Sequence, residues 1–198
     1  MITGLNSGTA TNLQLGAGAI LKSAYVSGTS LSTSNILSAT NGGMTFSAVP
    51  AFFTPTVDGI FDNVKGAGRT ITNWVVTLSF TAVEADAEVL LKALGCADQD
   101  GTSGVITGRH EIKSTDYADL YAIAEKGDGS IIQIKIKNAM NTSGLSLQTV
   151  NNGNGGISFT VQGNYDISTL ETPPFEISTI VPATPTEQTQ GTGTTTNP

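Results

Sequence analysis

Asn73-Trp74-Val75-Val76-Thr77-Leu78-Ser79-Phe80 runs almost at once into Val83-Glu84-Ala85-Asp86-Ala87-Glu88-Val89-Leu90-Leu91-Lys92-Ala93-Leu94-Gly95. The change of period between the two stretches decides the fold. In the first, part of a strand expected over Arg69–Phe80, Trp74, Val76, Leu78 and Phe80 share one face, with Asn73, Thr77 and Ser79 on the other. Alternation of that kind marks a strand with one buried side. In the second, Val83, Ala87, Leu90, Leu91 and Leu94 fall on one helical stripe, the pattern of a helix with one face on a core. Thr81 and Glu84 have the spacing of a capping box, and Glu84, Asp86 and Glu88 sit where the helix dipole favours negative charge. Glu88 and Lys92 form an i,i+4 pair, and Gly95 supplies the stop. The expectation is a helix over Val83–Leu94, packed beside the Trp74 strand and the only convincing helix in the chain.

Working outward, the rest reads as strands and turns. Leu15–Leu21 is a short apolar run. Ser27–Asn41 reads as a loop anchored by Ile36 and Leu37. Met44–Phe53 is extended, with Met44, Phe46 and Phe52 on one parity, and Pro50 and Pro55 confine it to an edge or end it early. Cys96–Gly104 reads as a turn or loop. Val105–Asp116 alternates loosely, with Ile106 and Ile112 inward. Ala118–Glu125 and Ser130–Asn138 flank Lys126-Gly127-Asp128-Gly129, a hairpin signal, with Ile132, Ile134 and Ile136 opposite Gln133, Lys135 and Lys137. Leu145–Val150 is a further short strand. After the turn Asn151–Gly156, the stretch Ile157–Asp166 places Ile157, Phe159, Val161 and Tyr165 on one side. About seven antiparallel strands and one helix point to a mainly β fold, an antiparallel β-sandwich or barrel with one flanking α-helix. The organisation expected is a flexible N-terminal arm over 1–14, a β domain over 15–180 and a disordered Thr/Pro-rich tail over 181–198.

Charged residues make up 13% of the 198-residue chain, and the formal net charge is −7. Charge this sparse, with abundant Ser, Thr and Gly, suits surfaces that pack against copies of themselves better than it suits a freely dispersed monomer. Phosphate-neutralising nucleic-acid binding needs clustered Lys and Arg, and the nine basic residues here are scattered. The lone Cys96 excludes an internal disulfide. There is no signal-peptide pattern and no apolar window long enough to span a bilayer, so the expectation is a soluble chain made in a reducing cytoplasm, with no membrane contact.

Catalytic signals are thin. His110 is the only histidine. No Gly-x-Ser-x-Gly elbow accompanies it, and its neighbours Arg109, Glu111 and Lys113 read as the solvated side of a strand. Cys96 follows a helix C-terminus, where the dipole disfavours a thiolate. Asp98-Gln99-Asp100-Gly101 lacks the later ligands of a calcium loop, and one His with one Cys cannot build a typical zinc site. The Gly-x-Gly at Gly16–Gly18 lacks the third glycine of a nucleotide fingerprint. The expectation is no catalytic site, no metal and no cofactor. A hydrolase built on His110 would need activity lost on His110→Ala.

One connection remains, Asp58–Arg69. It is about a dozen residues long, a length at which structureless loops become uncommon unless they act. It places Ile60, Phe61 and Val64 among Gly, Asp and Lys. Such a loop fits docking onto a partner, with Phe61 as an apolar anchor and Asp58, Asp62, Lys65 and Arg69 setting register.

Gly42-Gly43, Val57-Asp58-Gly59, Val64-Lys65-Gly66-Ala67, the strand Asn73–Phe80, the acidic helix ending Lys92-Ala93-Leu94-Gly95, and Ile157–Tyr165 followed by Thr172-Pro173-Pro174-Phe175-Glu176-Ile177 occur in an order that resembles the tail tube (major tail) proteins of long-tailed bacteriophages. The resemblance covers Leu15–Ile177. It implies a β-sandwich or barrel whose copies join edge to edge into hexameric rings, with the rings stacked into the tail tube of a virion. It implies that Asp58, Phe61, Asp62, Lys65 and Arg69 lie in the inter-ring contact. It also implies a tape-measure protein, tail-tip and tail-terminator proteins as partners, an acidic lumen that passes DNA, and assembly in the bacterial host cytoplasm. Tubes of contractile tails, phage-like bacteriocins and secretion systems share that architecture. The alternative expectation is a β-sandwich binding or decoration module of a virion.

Overall fold

A computed structural model describes residues 16, 18–27, 31–54, 58, 69–151 and 155–181. The described residues are mainly β with one α-helix. In order it forms β1 (Ala19–Leu21), β2 (Ile36–Phe53), β3 (Thr70–Ala82), α1 (Ala87–Leu94), β4 (Ala97–Gln99), β5 (Ile106–Gly108), β6 (Ala118–Glu125), β7 (Ile131–Asn141), β8 (Ser146–Gln148), β9 (Gly156–Gly163) and β10 (Phe175–Ile180). These ten strands exceed the number legible in sequence, because several are three residues long.

The large sheet is antiparallel, in the order β10-β7-β6-β1-β2-β3-β9-β8. A further pairing of Met140 and Asn141 on β7 with Gln162 and Val161 on β9 joins the sheet to itself. The result is a barrel, which removes edges that would otherwise stay open. Its interior is filled by Ile20, Leu37, Val76, Leu78, Phe80, Ile136, Ile157, Phe159 and Val161, with Val89 and Ala93 of α1 completing the same cluster. Phe80 and Phe159 are cross-strand partners, stacked with centroids 4.8 Å apart.

Several expectations change. The Ser27–Asn41 loop gives way to strand at Ile36, where β1 pairs with β2. β2 runs through Pro50 on an edge rather than stopping. The Trp74 N–H points away from β2, to the Tyr165 hydroxyl at 2.6 Å, so the nitrogen of its partner Pro50 faces outward and no ladder bond is lost. Gly42 and Gly43, with φ of 77° and 83°, form the irregularity at which the ladder jumps from Thr40–Ala82 to Met44–Phe80. A side chain would be strained at either. A second shift, between Ala51 and Phe52, skips Thr72 of β3; Phe52 keeps the parity of Met44 and Phe46 but is exposed.

The helix starts later than its capping-box signal. Pairing of Thr81 with Ser158 and Ala82 with Ile157 holds both residues in β3. Asp86 is the N-cap instead, accepting from Val89 N at 2.8 Å. This start turns the buried face to Val89 and Ala93, leaves Leu90, Leu91 and Leu94 half-buried, and exposes Val83. Cys96–Gly104 holds the first strand of a hairpin, with Ala97, Asp98 and Gln99 of β4 against Gly108, Thr107 and Ile106 of β5. Ile106 is half-buried, but Ile112 lies beyond β5 and is exposed. The β6–β7 hairpin forms as read, although Gln133 is buried under the segment whose Tyr25 N–H it accepts.

Strand direction gives the barrel two unlike ends. β2, β6, β9 and β10 finish at one end, where β1, β3 and β7 begin. At the other end β3 passes into α1, and α1, the β4–β5 hairpin and β8 gather there. The 1–14 arm and the 182–198 tail lie outside the described residues.

Candidate functional site

β2 and β3 are longer than their neighbours. β1 covers β2 only from Ile36 to Ala39, and β9 covers β3 only from Val76 to Ala82. The ladder between β2 and β3 continues to Phe53–Thr70. Among the described residues, Ala48–Phe53 with Thr70–Val75 is therefore a two-stranded ribbon with no strand on either side. Val49 pairs with Val75 and Phe52 with Ile71, so the two members of each pair share a face. They are 55%, 46%, 51% and 47% exposed, and Phe53, paired with Thr70, is 58% exposed. Exposed apolar residues grouped this way mark an interaction surface more often than scattered ones do. The ribbon edges are blunted at its base, by Pro50 on β2 and by the Tyr165 hydroxyl on Trp74 of β3.

The opposite end carries a second apolar surface. Ala82–Ala85, Leu147–Val150 and Gly155–Ile157 line a groove of about 330 Å³, between the β3–α1 connection and β8. Val83, Leu147 and Val150 are exposed along it, and Glu84 lies in its wall. β8 pairs with β9 alone. β10, paired with β7 alone, exposes Ile177 on the barrel side.

The basic residues are largely neutralised. Lys22 pairs with Glu88, Lys113 with Asp98, Lys126 with Asp128, Lys135 with Asp119 and Lys137 with Glu176. Arg109 is not the solvated neighbour expected beside His110. Its side chain is 14% exposed, with Nε 2.9 Å from Asp98 in a direction that gives no hydrogen bond, while Nη2 meets Asp116. Burial pushes the Asp116 carboxyl up, but the Lys113 N–H and the Arg109 guanidinium outweigh it and hold it below its usual value. This clamp ties the β4–β5 hairpin to the turn Ser114–Asp116. Among the described residues, Arg69 and Lys92 are the basic side chains with no ion pair.

His110 lies exposed in a bend after β5, and Cys96 is a half-buried free thiol. Among the described residues no cluster of three or more His, Cys, Asp or Glu could hold a metal, and no helix is long and apolar enough to cross a membrane. Asp100 folds back on its own turn, accepting from Thr102 N at 2.8 Å and from Ser103 Oγ at 2.9 Å.

Of the five loop residues singled out by sequence, Asp58 is exposed and Arg69 stacks over the Phe52 ring at 5.1 Å. Phe61, Asp62 and Lys65 lie outside the described residues. Sequence reading missed the ribbon face and the groove. For the ribbon a signal existed, since Ile71 and Val75 are apolar residues at outward parity. The groove has none, being built from three stretches far apart in the chain. No family model matches this chain, and no curated protein matches it.

Proposed function

We propose that this chain is a structural subunit that assembles with copies of itself, joined edge to edge into hexameric rings and stacked into the tube of a phage tail, through which DNA passes. The observation that carries the reading is the β2–β3 ribbon. It is a strand pair extended beyond the strands that flank it, carrying Val49, Phe52, Phe53, Ile71 and Val75 as exposed apolar side chains. Sheet edges left in this state are a liability in a monomer and a joining surface in an assembly. The unlike ends support stacking, because a head-to-tail contact whose rotation does not close builds an open stack. The single-strand margins at β10 and β8 support lateral joining. The net charge of −7, with most Lys and Arg paired to carboxylates, supports a wall along which DNA slides without sticking. In this reading the tape-measure, tail-tip and tail-terminator proteins are the partners, and the chain does no chemistry.

Sedimentation velocity over a wide concentration range tests the proposal. Mass rising from subunit to ring to open-ended polymer is the expected result. A single monomeric boundary at every concentration, with a receptor-like ligand bound through the ribbon, would favour a monomeric binding module.

A further inference from the structure

We propose that the barrel carries a carbohydrate-binding cleft, shaped for a neutral sugar ring, between the β5–β6 and β9–β10 connections. The cleft is lined by Ser114, Tyr117, Asn138, Asn164, Tyr165 and Asp166. Its volume of about 480 Å³ falls within the ~300–1,000 Å³ of small-molecule sites. It uses neither the ribbon nor the groove and does not rest on the assembly reading. It opens where β7 changes partner. β10 pairs with β7 as far as Ile136, and β9 takes over from Met140. Between these points β7 carries one residue more than β6, as the register moves from Leu120–Ile136 to Ala118–Ala139. An extra residue of this kind makes a bulge, which bends the strand and re-aims side chains. Asn138 lies in it with φ of 47°, the one positive value outside glycine among the described residues. Asn tolerates that conformation better than most residues, and the neighbouring groups hold it there. The Asn138 N–H donates to Asp119 Oδ1 at 3.1 Å, and the Lys137 N–H donates to the Pro174 carbonyl at 2.9 Å.

The bulge fixes two amides. Asn138 Nδ2 donates to the Asn164 carbonyl at 3.3 Å. Asn164 Nδ2 donates to the Asn138 carbonyl at 2.8 Å and to the Gln162 carbonyl at 3.1 Å. Both nitrogens are thereby occupied, and neither Oδ1 has a hydrogen-bond partner among the described residues. Neither oxygen is buried, so both stand at the cleft as fixed acceptors. The Tyr117 hydroxyl is also accessible and without a partner among the described residues. Asp166 receives the Ser168 N–H and hydroxyl on Oδ1, which leaves Oδ2 as a third acceptor. The Trp74 N–H holds the Tyr165 hydroxyl at 2.6 Å, so that ring is a rigid wall. Fixed acceptors, two rotatable hydroxyls on Ser114 and Tyr117, and two aromatic rings match the chemistry of a sugar. Its hydroxyls both donate and accept, and its C–H face packs on an aromatic ring. A guanidinium or ammonium group has donors alone and would leave the hydroxyl protons of Ser114 and Tyr117 unused. A calcium ion takes about 6–8 oxygens, several of them carboxylate, and among the lining residues only Asp166 carries a carboxylate.

Saturation-transfer NMR on the full chain tests this, with the methyl glycosides of glucose, galactose, mannose and N-acetylglucosamine as probes. Transfer to the ring protons of at least one probe is expected, with a Kd of about 1 mM by titration. Tyr117→Ala is expected to weaken that binding about ten-fold, the equivalent of one lost stacking contact. Leu147→Asp, an exposed change on β8 outside the cleft, is expected to leave it unchanged. Circular dichroism checks that each variant folds. Should Tyr117→Ala misfold, Ser114→Trp serves instead, since it fills the cleft from an exposed position and is expected to weaken binding at least as much. No transfer from any of the four glycosides at about 10 mM overturns the proposal. So does sugar binding that the cleft variants leave undiminished, or a cleft that binds methylguanidinium or calcium and none of the sugars. Sugar binding by a chain that stays monomeric at every concentration leaves the cleft standing and overturns the assembly reading alone.

Discussion

Replacing Asn141 by alanine opens the barrel at its seam. Asn141 is 6% exposed and sits at the end of β7, where β7 meets β9. Its amide nitrogen donates to the carbonyls of Ala93, in the last turn of α1, and Gly144. Its Oδ1 accepts the Thr160 N–H at 2.9 Å and the Ser143 hydroxyl at 3.0 Å. One side chain thus fastens helix, seam and following turn. After Asn141→Ala the Thr160 N–H keeps a longer contact to Ser143 Oγ at 3.1 Å, and the hydroxyl can turn toward water. The Ala93 carbonyl has no such recourse, and a buried acceptor left unmade costs about 1–3 kcal/mol. With about 1 kcal/mol for the weakened seam bond, the loss is about 2–4 kcal/mol. For a chain of this size that corresponds to a melting temperature lower by roughly 4–16 °C. Asn141→Asp sharpens the test, because it sets a carboxylate against two carbonyl oxygens. Burial and those oxygens raise the folded-state pKa of the introduced aspartate above its unfolded value of about 3.9. The penalty is therefore small below about pH 4 and grows as pH rises through the raised folded value. Calorimetric melts of both variants between pH 3.5 and 7 measure it. A melting temperature within 2 °C of the parent for Asn141→Ala, or a pH-independent deficit for Asn141→Asp, would refute the assignment.

Three further outcomes are expected. Gly95→Ala is expected to cost about 2–4 kcal/mol by denaturant titration, since Gly95 has φ of 76° and a Cβ there would lie 2.7 Å from the Asn141 carbonyl oxygen. Acid is expected to destabilise the fold through lowered carboxyl pKa values: the hydrogen bond from Lys137 holds Glu176 below its ordinary value, and Asp116 is also held low. Stability from a lowered carboxyl is present above its unfolded pKa and lost as pH falls through the folded one, so melting temperatures should fall below about pH 4 and fall less steeply in Glu176→Gln. Deletion of Phe61–Lys65 is expected to leave the melting temperature of the barrel unchanged while sedimentation stops at rings or monomers.

How far the fold was legible depended on how local each cause was. The Trp74–Phe80 alternation, the turn at Lys126–Gly129 and the alternation from Ile157 to Val161 are set by neighbours in sequence, and each appears as read. The helix start was misplaced because Thr81 and Asp86 are both competent caps, and the pairing of β3 with β9, separated by some eighty residues, chose between them. Phe52 keeps the parity of Met44 and Phe46 yet is exposed, because β2 and β3 outrun the strands that flank them, an extent that composition does not mark. Closure of the barrel through Met140 and Asn141 has no local signature at all. The site followed the same division. The connection Asp58–Arg69 stood out by length and composition, and its end at Arg69 adjoins the exposed ribbon. The groove needs Val83, Leu147 and Gly155 to meet, which only the folded chain arranges.

The account stands or falls on assembly. Negative-stain electron microscopy of the purified, concentrated chain tests it most directly. Hollow tubes or stacked rings are the predicted result. Only dispersed single particles of monomer size, at every concentration reached, would contradict it.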